Sequence, residues 1–245
     1  MKKMTIEEIV DQYNTLLNDS RKLDFIVRDK DLQEVQVKKL GEFVGYLKSF
    51  KQQSLQHSDE TSANMFFHLQ CVINAQMSSL QVWISIKDAK NQEAWNHLID
   101  AQEYLAYALQ ASDAHSGLGE FSKRLENAEH LIFPGFPVYS SPGLIFTGGV
   151  CSICNKPIEE CEHVEGRIYW GKVCQRVGIE KVDIDHSSIV TAPKDRKCII
   201  TEWAADDGFV HDYITWKVLR PVEKEEDKGK LATLVLLNFG SLDIY

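Results

Sequence analysis

The feature that most constrains the fold is a cluster of thiols and one imidazole in the run CSICNKPIEECEH, from Cys151 to His163. Cys151 and Cys154 have the C-x2-C spacing of a knuckle, in which two thiolates approach one metal ion while local amides hydrogen-bond the sulfur atoms. Cys161 and His163 are two residues apart, so in an extended segment both side chains point to the same side. The spacing therefore predicts that this short segment folds around a single metal ion.

The donor types indicate zinc in a structural role. Three thiolates and one imidazole make a closed tetrahedral set, and soft sulfur ligands disfavour magnesium and calcium. A catalytic zinc ion keeps an open position for water and generally has fewer thiolates. We predict that Cys151, Cys154, Cys161 and His163 bind structural Zn²⁺. Cys174 is either an alternative fourth ligand in place of His163 or a buried thiol after the run YWGKV.

Three other interpretations of the cysteines fit less well. Four of the six cysteines lie between Cys151 and Cys174, whereas Cys71 and Cys198 stand alone. In a reducing compartment such clustering indicates metal binding before disulfides. Unconnected cysteines in a turn would rarely show this spacing. A redox C-x-x-C motif usually places its reactive cysteine at a helix N-terminus, and the sequence predicts no helix here.

The bulk composition is that of an ordinary globular protein. The chain has 245 residues, enough for one large domain or two smaller ones. The start MKKM is followed by polar and acidic residues, so we expect no secretory signal, and no apolar run reaches the roughly 18 residues of a membrane span. We expect a soluble, cytoplasmic protein. The net charge of −9 argues against a nucleic-acid partner, because proteins that bind nucleic acids usually carry more basic than acidic residues.

The first half of the chain predicts five amphipathic helices. Thr5 and Glu8 have the spacing of a capping box, and the acidic start at Ser58-Asp59-Glu60 suits the positive end of a helix dipole. Apolar residues then recur at helical intervals. The predicted helices follow Thr5 to at least Leu17, Leu32 to about Gln56, Glu60 to about Ala89, Gln92 to Ala111, and Leu118 to Ile132. Short connections between them predict an antiparallel bundle.

At Phe133 the character of the sequence changes. The run FPGFPVYSSPG holds three of the six prolines, which no helix interior tolerates. The runs beyond it are rich in β-branched and aromatic residues and predict strands. Trp170, Trp203 and Trp216 fall on these strands, where a β core is their first explanation and a recognition surface the second. These runs are GLIFTGGV, GRIYWGKV, KVDIDHSSIV, KCIITEW, FVHDYITWKVL and LATLVLLNF, with EKEEDKGK as a solvated loop.

These patterns predict an α+β protein. An antiparallel helical bundle occupies residues 1–132, and a Pro/Gly-rich linker with the first strand occupies 133–149. A small β-rich domain, held together by the zinc ion, follows over 150–245.

The run CSICNKPIEECEHVEGRIYWGKVC, with DIDHSSIVTAPKDRKCII after it, resembles a zinc module of phage and bacterial proteins without an assigned activity. In that module a C-x2-C…C-x-H cluster precedes a G-x-x-Y-x-G segment and then a strand and turn. The likeness covers roughly residues 150–200, and SSIVTAPKDRK is more polar and charged than the module's turn. The resemblance implies a bacterial or phage origin and no activity. It also implies the same four ligands, with Gly166, Tyr169 and Gly171 as framework.

Two further groups of residues are weaker candidates for a catalytic metal. Asp183 and Asp185 would share one face of a strand while His186 points to the opposite face, which favours a solvated strand face. Di-iron bundles use a Glu-x-x-His motif from each of two helices. Here the helical group is Glu126, Glu129 and His130, whose Glu–His separations are four and one, with no second copy.

His68 and Cys71 also lie three residues apart on a predicted helix, a geometry that can bind metal. Their apolar neighbours Phe67 and Val72 favour plain core residues instead.

The functional prediction rests on the closed donor set and on missing motifs. The sequence has no Walker A loop, no G-x-G-x-x-G, no G-x-S-x-G and no H-E-x-x-H. We predict a non-catalytic zinc-binding interaction or adaptor protein, whose helical domain binds a protein partner or self-associates. One alternative is a nucleic-acid-associated zinc protein, acting as a regulator or phage-defence component. The other is a metal-dependent hydrolase that uses Asp183, Asp185 or the helical Glu and His residues.

Overall fold

The computed structural model describes residues 4–25, 27–113, 117–135, 137–223 and 231–232. Within them, helices occupy the first half of the chain and strands follow, which confirms the predicted α+β class. The helices are α1 (Ile6–Leu23), α2 (Lys30–Gln56), α3 (Glu60–Lys87), α4 (Asn91–Ala111) and α5 (Leu118–Ile132). Of the helices described, none combines the length and the apolar character needed to cross a membrane.

Side-chain caps fix where the first helices begin. The predicted capping box is confirmed, because the Thr5 hydroxyl accepts a hydrogen bond from the Glu8 amide at 3.2 Å and the Glu8 carboxylate accepts one from the Thr5 amide at 2.7 Å. Asp59 caps α3 by accepting from the Ser62 amide at 3.0 Å. The second helix begins two residues earlier than predicted, since Asp29 supplies its cap.

The third helix is the centre of the helical packing. It lies against both α2 and α4, and more than half of its residues are buried. On the α2 side, the Phe50 and Phe66 rings stack with centroids 5.5 Å apart. Trp95 is the largest fully buried side chain and belongs to α4. A helix that is buried on opposite sides explains why the apolar residues of α3 do not form one narrow stripe.

The strands form three small sheets. They are β1 (Tyr139–Cys151), β2 (Ile168–Tyr169), β3 (Lys172–Val173), β4 (Arg176–Val190), β5 (Glu202–Ala204), β6 (Phe209–Asp212), β7 (Val218–Pro221) and β8 (Leu231–Ala232). β1 pairs with β4, β2 pairs with β3, and the third sheet has the order β7-β6-β5-β8. Of the predicted run LATLVLLNF, the structure describes Leu231 and Ala232, which form β8. Of the predicted loop EKEEDKGK, it describes the first residue, Glu223. The other residues of both runs lie outside the described residues.

Two of the predicted strands are hairpins instead. In the run GRIYWGKV, Tyr169 pairs with Lys172, and Trp170 and Gly171 between them have φ values of 53° and 64°. Positive φ at both central residues defines a type I′ turn, which joins two antiparallel strands tightly. Trp216 likewise has a φ of 59° in the connection between β6 and β7. The placement of Trp170 and Trp216 on strands was therefore wrong. Neither is a core residue, because Trp170 is 37% exposed and Trp216 is 56% exposed.

Contacts divide the chain into two compact units. The first contains the described residues up to Leu125 together with Gly148–Gly178, and the second contains Glu126–Thr147 with the described residues from Ile179 onward. The four predicted metal ligands lie in Gly148–Gly178 and so group with the helices. Where an independently folding domain begins and ends stays a prediction, including the boundary after residue 132.

Candidate metal centre

The first two cysteines are brought together by a tight turn at the end of β1. The Cys151 amide donates to the Lys156 carbonyl at 2.8 Å, and the Asn155 amide donates to the Cys151 carbonyl at 2.9 Å. Asn155 has a φ of 58°, a left-handed conformation that Asn tolerates better than most residues. These bonds turn the chain back on itself, so that the Cys154 side chain returns to the side of Cys151.

The second pair of donors follows a short 3-10 helix, Ile158–Glu160. Cys161 has an extended backbone, with φ −96° and ψ 136°. The His163 amide donates to the Cys161 sulfur at 3.2 Å. As expected for an extended i, i+2 pair, the two side chains meet on one side, with Cys161 Sγ 3.3 Å from His163 Nδ1.

The four predicted donors converge. Their ligand atoms all lie within 4.8 Å of one another, and in the described part of the chain they are the one such group of three or more His, Cys, Asp or Glu residues. Cys154 Sγ lies 3.5 Å from Cys161 Sγ, and Cys151 Sγ lies 3.9 Å from His163 Nδ1. In a tetrahedral centre with metal–sulfur bonds of about 2.3 Å, sulfur–sulfur edges are about 3.8 Å and sulfur–nitrogen edges about 3.6 Å. The cluster could therefore hold a metal ion.

The site favours ionisation of the Cys151 thiol over that of Cys161. Burial would raise the pKa of Cys151, but backbone amides of Cys154 and Ile153 and neighbouring thiols hydrogen-bond its sulfur and lower the pKa from 9.0 to about 6. Burial raises the pKa of Cys161 to about 11, which its contacts with the Cys151 and Cys154 thiols reinforce. At neutral pH, Cys151 offers a thiolate before Cys161 does.

The raised pKa of Cys161 predicts that metal binding releases protons. Because the Cys161 thiol must lose its proton to bind a metal, we expect the apparent cobalt(II) affinity to rise by at least about tenfold per pH unit near neutral pH. The affinity should fall as the pH drops, since protons then compete for the sulfur atoms. Titrations of metal-free protein at several pH values measure the slope. A pH-independent affinity would show that no thiol binds the ion.

Tyr169 holds the histidine of the cluster in place. Its ring meets the His163 ring edge to face, with centroids 4.6 Å apart and an interplanar angle of 83°. The Tyr169 hydroxyl accepts a hydrogen bond from the Val164 amide at 3.2 Å. Gly166 and Gly171 both have positive φ, at 83° and 64°, where a side chain is strained. These three positions are the framework residues that the sequence resemblance implied.

The hairpin that carries Tyr169 also contacts the start of α3. The Trp170 amide donates to the Glu60 carboxylate at 3.1 Å, and the Gly171 amide donates to Asn64 Oδ1 at 2.7 Å. A Cβ atom at Gly171 would lie 2.7 Å from the Ala63 carbonyl oxygen. The sequence assigned Glu60 to the helix dipole and gave Asn64 no role, because no local pattern indicates which segment their oxygen atoms bind.

The acidic candidates for a catalytic metal, Asp183 and Asp185, each pair with one basic side chain nearby. Asp183 pairs with Lys181 at 2.6 Å, and the Asp185 carboxylate accepts a hydrogen bond from His186 Nδ1 at 2.9 Å, all on exposed side chains. Asp185 and His186 thus meet, although their strand positions predicted opposite faces. Within the described residues, this group joins no cluster of three metal donors.

The helical candidates are engaged elsewhere. Glu129 pairs with Arg196, and Glu126 and His130 join no donor cluster among the described residues. His68 Nδ1 lies 2.8 Å from the Ala108 carbonyl oxygen. Burial raises the pKa of Cys71 to about 12, which keeps its thiol protonated. These contacts agree with a core role for His68 and Cys71.

Comparison of the chain with protein-family models, with curated proteins and with solved structures finds no match. The functional argument therefore starts from the cysteine–histidine cluster and its surroundings. That its four side chains are the ligands of a bound ion stays a prediction.

Proposed function

We propose that this chain is a non-catalytic, zinc-binding adaptor protein of bacterial or phage origin that works by contacting another protein chain in the cytoplasm. The observation that supports it is the convergence of three cysteine sulfur atoms and one imidazole nitrogen at tetrahedral spacing. Zinc with four protein ligands has no position left for a substrate or a reactive water. The reducing cytoplasm keeps such thiols available for the metal.

The role we propose for the zinc ion is to hold the segment Gly148–Gly178 in shape against the helices. The segment has little regular structure of its own, with a 3-10 helix of three residues and two strands of two residues each between its ends. Short elements of this kind bury too little apolar surface to be stable alone. A metal ion that closes the loop would keep the Trp170–Gly171 turn in position to bind Glu60 and Asn64 of α3.

The helices supply the proposed contact surface. Leu32 and Val35 lie one turn apart on α2, and each side chain is 52% exposed. On α1, Ile6 and Val10 are also exposed although they are apolar. Apolar side chains that remain in water on two helices support a protein contact, because covering them would be favourable.

A charge substitution tests this contact. We expect Val35→Glu to weaken association by about tenfold or more, since an ionised carboxylate would have to be buried at the interface. Sedimentation of the purified chain measures self-association, and affinity capture from the native host measures binding of another protein. Gln52→Glu adds the same single charge at an exposed polar position about five turns further along the same helix, so it is the matched control and should change little.

Both variants should keep the helical content and the metal content of the unsubstituted chain. A chain that is monomeric at all concentrations and captures no protein would contradict the proposed adaptor role. Equal binding by the Val35→Glu variant would place the contact elsewhere than on α2.

A further inference from the structure

A fifth sulfur atom lies beside the four-donor cluster. Cys174 Sγ is 3.7 Å from Cys151 Sγ, and both residues have no solvent exposure. The Cys174 amide donates to the Arg167 carbonyl, and its carbonyl accepts from the Gly166 amide, each at 2.7 Å. Its backbone is therefore bound on both sides, and its thiol is fixed next to the metal-binding sulfur.

Ser152 connects the two cysteines through their neighbours. Its hydroxyl donates to the Val173 carbonyl at 3.0 Å and accepts from the Gln175 amide at 3.0 Å. Its own amide donates to the Gln175 carbonyl at 2.9 Å. Ser152, which follows Cys151, thus binds Val173 and Gln175, the two neighbours of Cys174. These hydrogen bonds fix the short distance between the Cys151 and Cys174 sulfur atoms.

We propose that Cys174 is a positioning residue of the metal centre, whose S–H group donates a hydrogen bond to the Cys151 thiolate. This inference rests on the proposed binding of zinc by the cluster. The four mutually close donors already complete a tetrahedral set, so the fifth sulfur has no coordination position left. A buried thiolate also needs donors, and the Ile153 amide, 3.4 Å from the same sulfur, supplies another.

Such a hydrogen bond has two consequences for the ion. It stabilises the negative charge on the Cys151 sulfur, so the ion is bound more tightly than by an unsupported thiolate. It also lowers the energy of the sulfur lone pairs, so charge transfer from that sulfur to a bound cobalt(II) ion needs light of higher energy. A residue that only fills space would change neither property.

Cobalt(II) binding by the full chain and two variants tests the assignment. We expect Cys174→Ala to bind one ion per chain with about 10-fold to 100-fold lower affinity, the usual cost of losing an outer partner of a ligand. Its sulfur-to-cobalt absorption band should move to longer wavelength without losing thiolate intensity. Cys174→Ser keeps a donor of similar size and should restore most of the affinity and the band position.

A third variant separates the rival role of Cys174 as a ligand. If Cys174 bound the ion in place of His163, His163→Ala would keep its cobalt spectrum and Cys174→Ala would lose the intensity of one thiolate, which would overturn the inference. Unchanged affinity and spectrum in Cys174→Ala would also overturn it. Unsubstituted protein that takes up neither zinc nor cobalt would instead overturn the proposed zinc function, and this inference with it.

Discussion

Replacing Cys154 with serine is expected to abolish stoichiometric zinc binding. Cys154 Sγ lies 3.5 Å from Cys161 Sγ and belongs to the set of four mutually close donors. A serine hydroxyl at this position is a hard, neutral oxygen and a poor substitute for a thiolate on zinc. Three remaining donors also leave a coordination position open to water, so the ion is no longer enclosed by the protein.

The loss of zinc should appear as a loss of stability in the unit that contains the helices. When free zinc exceeds the dissociation constant a thousandfold, binding stabilises the native state by about 4 kcal/mol. For a unit of this size, losing that amount lowers the unfolding temperature by about 10 °C. Metal analysis of the purified variant and thermal unfolding followed by helical circular dichroism measure the two effects together.

Cys198→Ser is the matched control, because it removes a thiol that lies outside the metal cluster. It should keep one zinc ion per chain and nearly the original unfolding temperature. A chelator should then destabilise the unsubstituted chain and the Cys198 variant, but leave the Cys154 variant unchanged. If Cys154→Ser retains zinc with the same stability, the cluster is not the zinc site.

The helices could be predicted because the residues that determine them are neighbours in the sequence. Thr5 and Glu8 cap α1 within four residues, and Asp59 caps α3 in the same way. The bounds of α4 and α5 follow from apolar residues at regular intervals and agree with the prediction to within a residue. Local signals of this kind leave little for distant contacts to change.

The convergence of the four donor side chains could be anticipated for the same reason. All four donors fall between Cys151 and His163, so a turn and an extended pair suffice to bring them together. The place of Cys174 could not be derived, because its approach to Cys151 depends on the bonds that Ser152 makes across the loop. The sequence therefore left two roles open for it.

The two hairpins were missed because left-handed residues interrupt runs of good strand formers. Trp170 and Trp216 are aromatic, and aromatic residues favour strands, but both adopt positive φ in turns. In the first hairpin the following Gly171 permits the turn. The amides of Trp170 and Gly171 also bind Glu60 and Asn64, more than 100 residues earlier in the chain. Contacts over that separation have no signature in a local pattern.

The contact of this turn with α3 leads to the second large effect, the substitution Gly171→Ala. At φ 64° an alanine costs about 1–2 kcal/mol relative to glycine. The added Cβ would also lie 2.7 Å from the Ala63 carbonyl oxygen, an atom of the helix backbone that cannot move aside alone. Overpacking against a rigid neighbour typically adds 1–3 kcal/mol. We expect a total loss of about 2–5 kcal/mol in the free energy of unfolding.

Gly166→Ala separates backbone strain from the contact with α3. Gly166 has a φ of 83°, but a Cβ there would meet no atom within 4 Å. It should cost about 1–2 kcal/mol, the backbone contribution alone. Urea unfolding of both variants, each with its zinc content measured, gives the difference. A larger loss in Gly171→Ala, with zinc retained, would mean that the metal segment stabilises the helices through its contact with Ala63. Equal losses would mean that the contact between the turn and α3 adds nothing to the stability of the helices. The metal ion would then stabilise the loop that binds it and no other part of the chain.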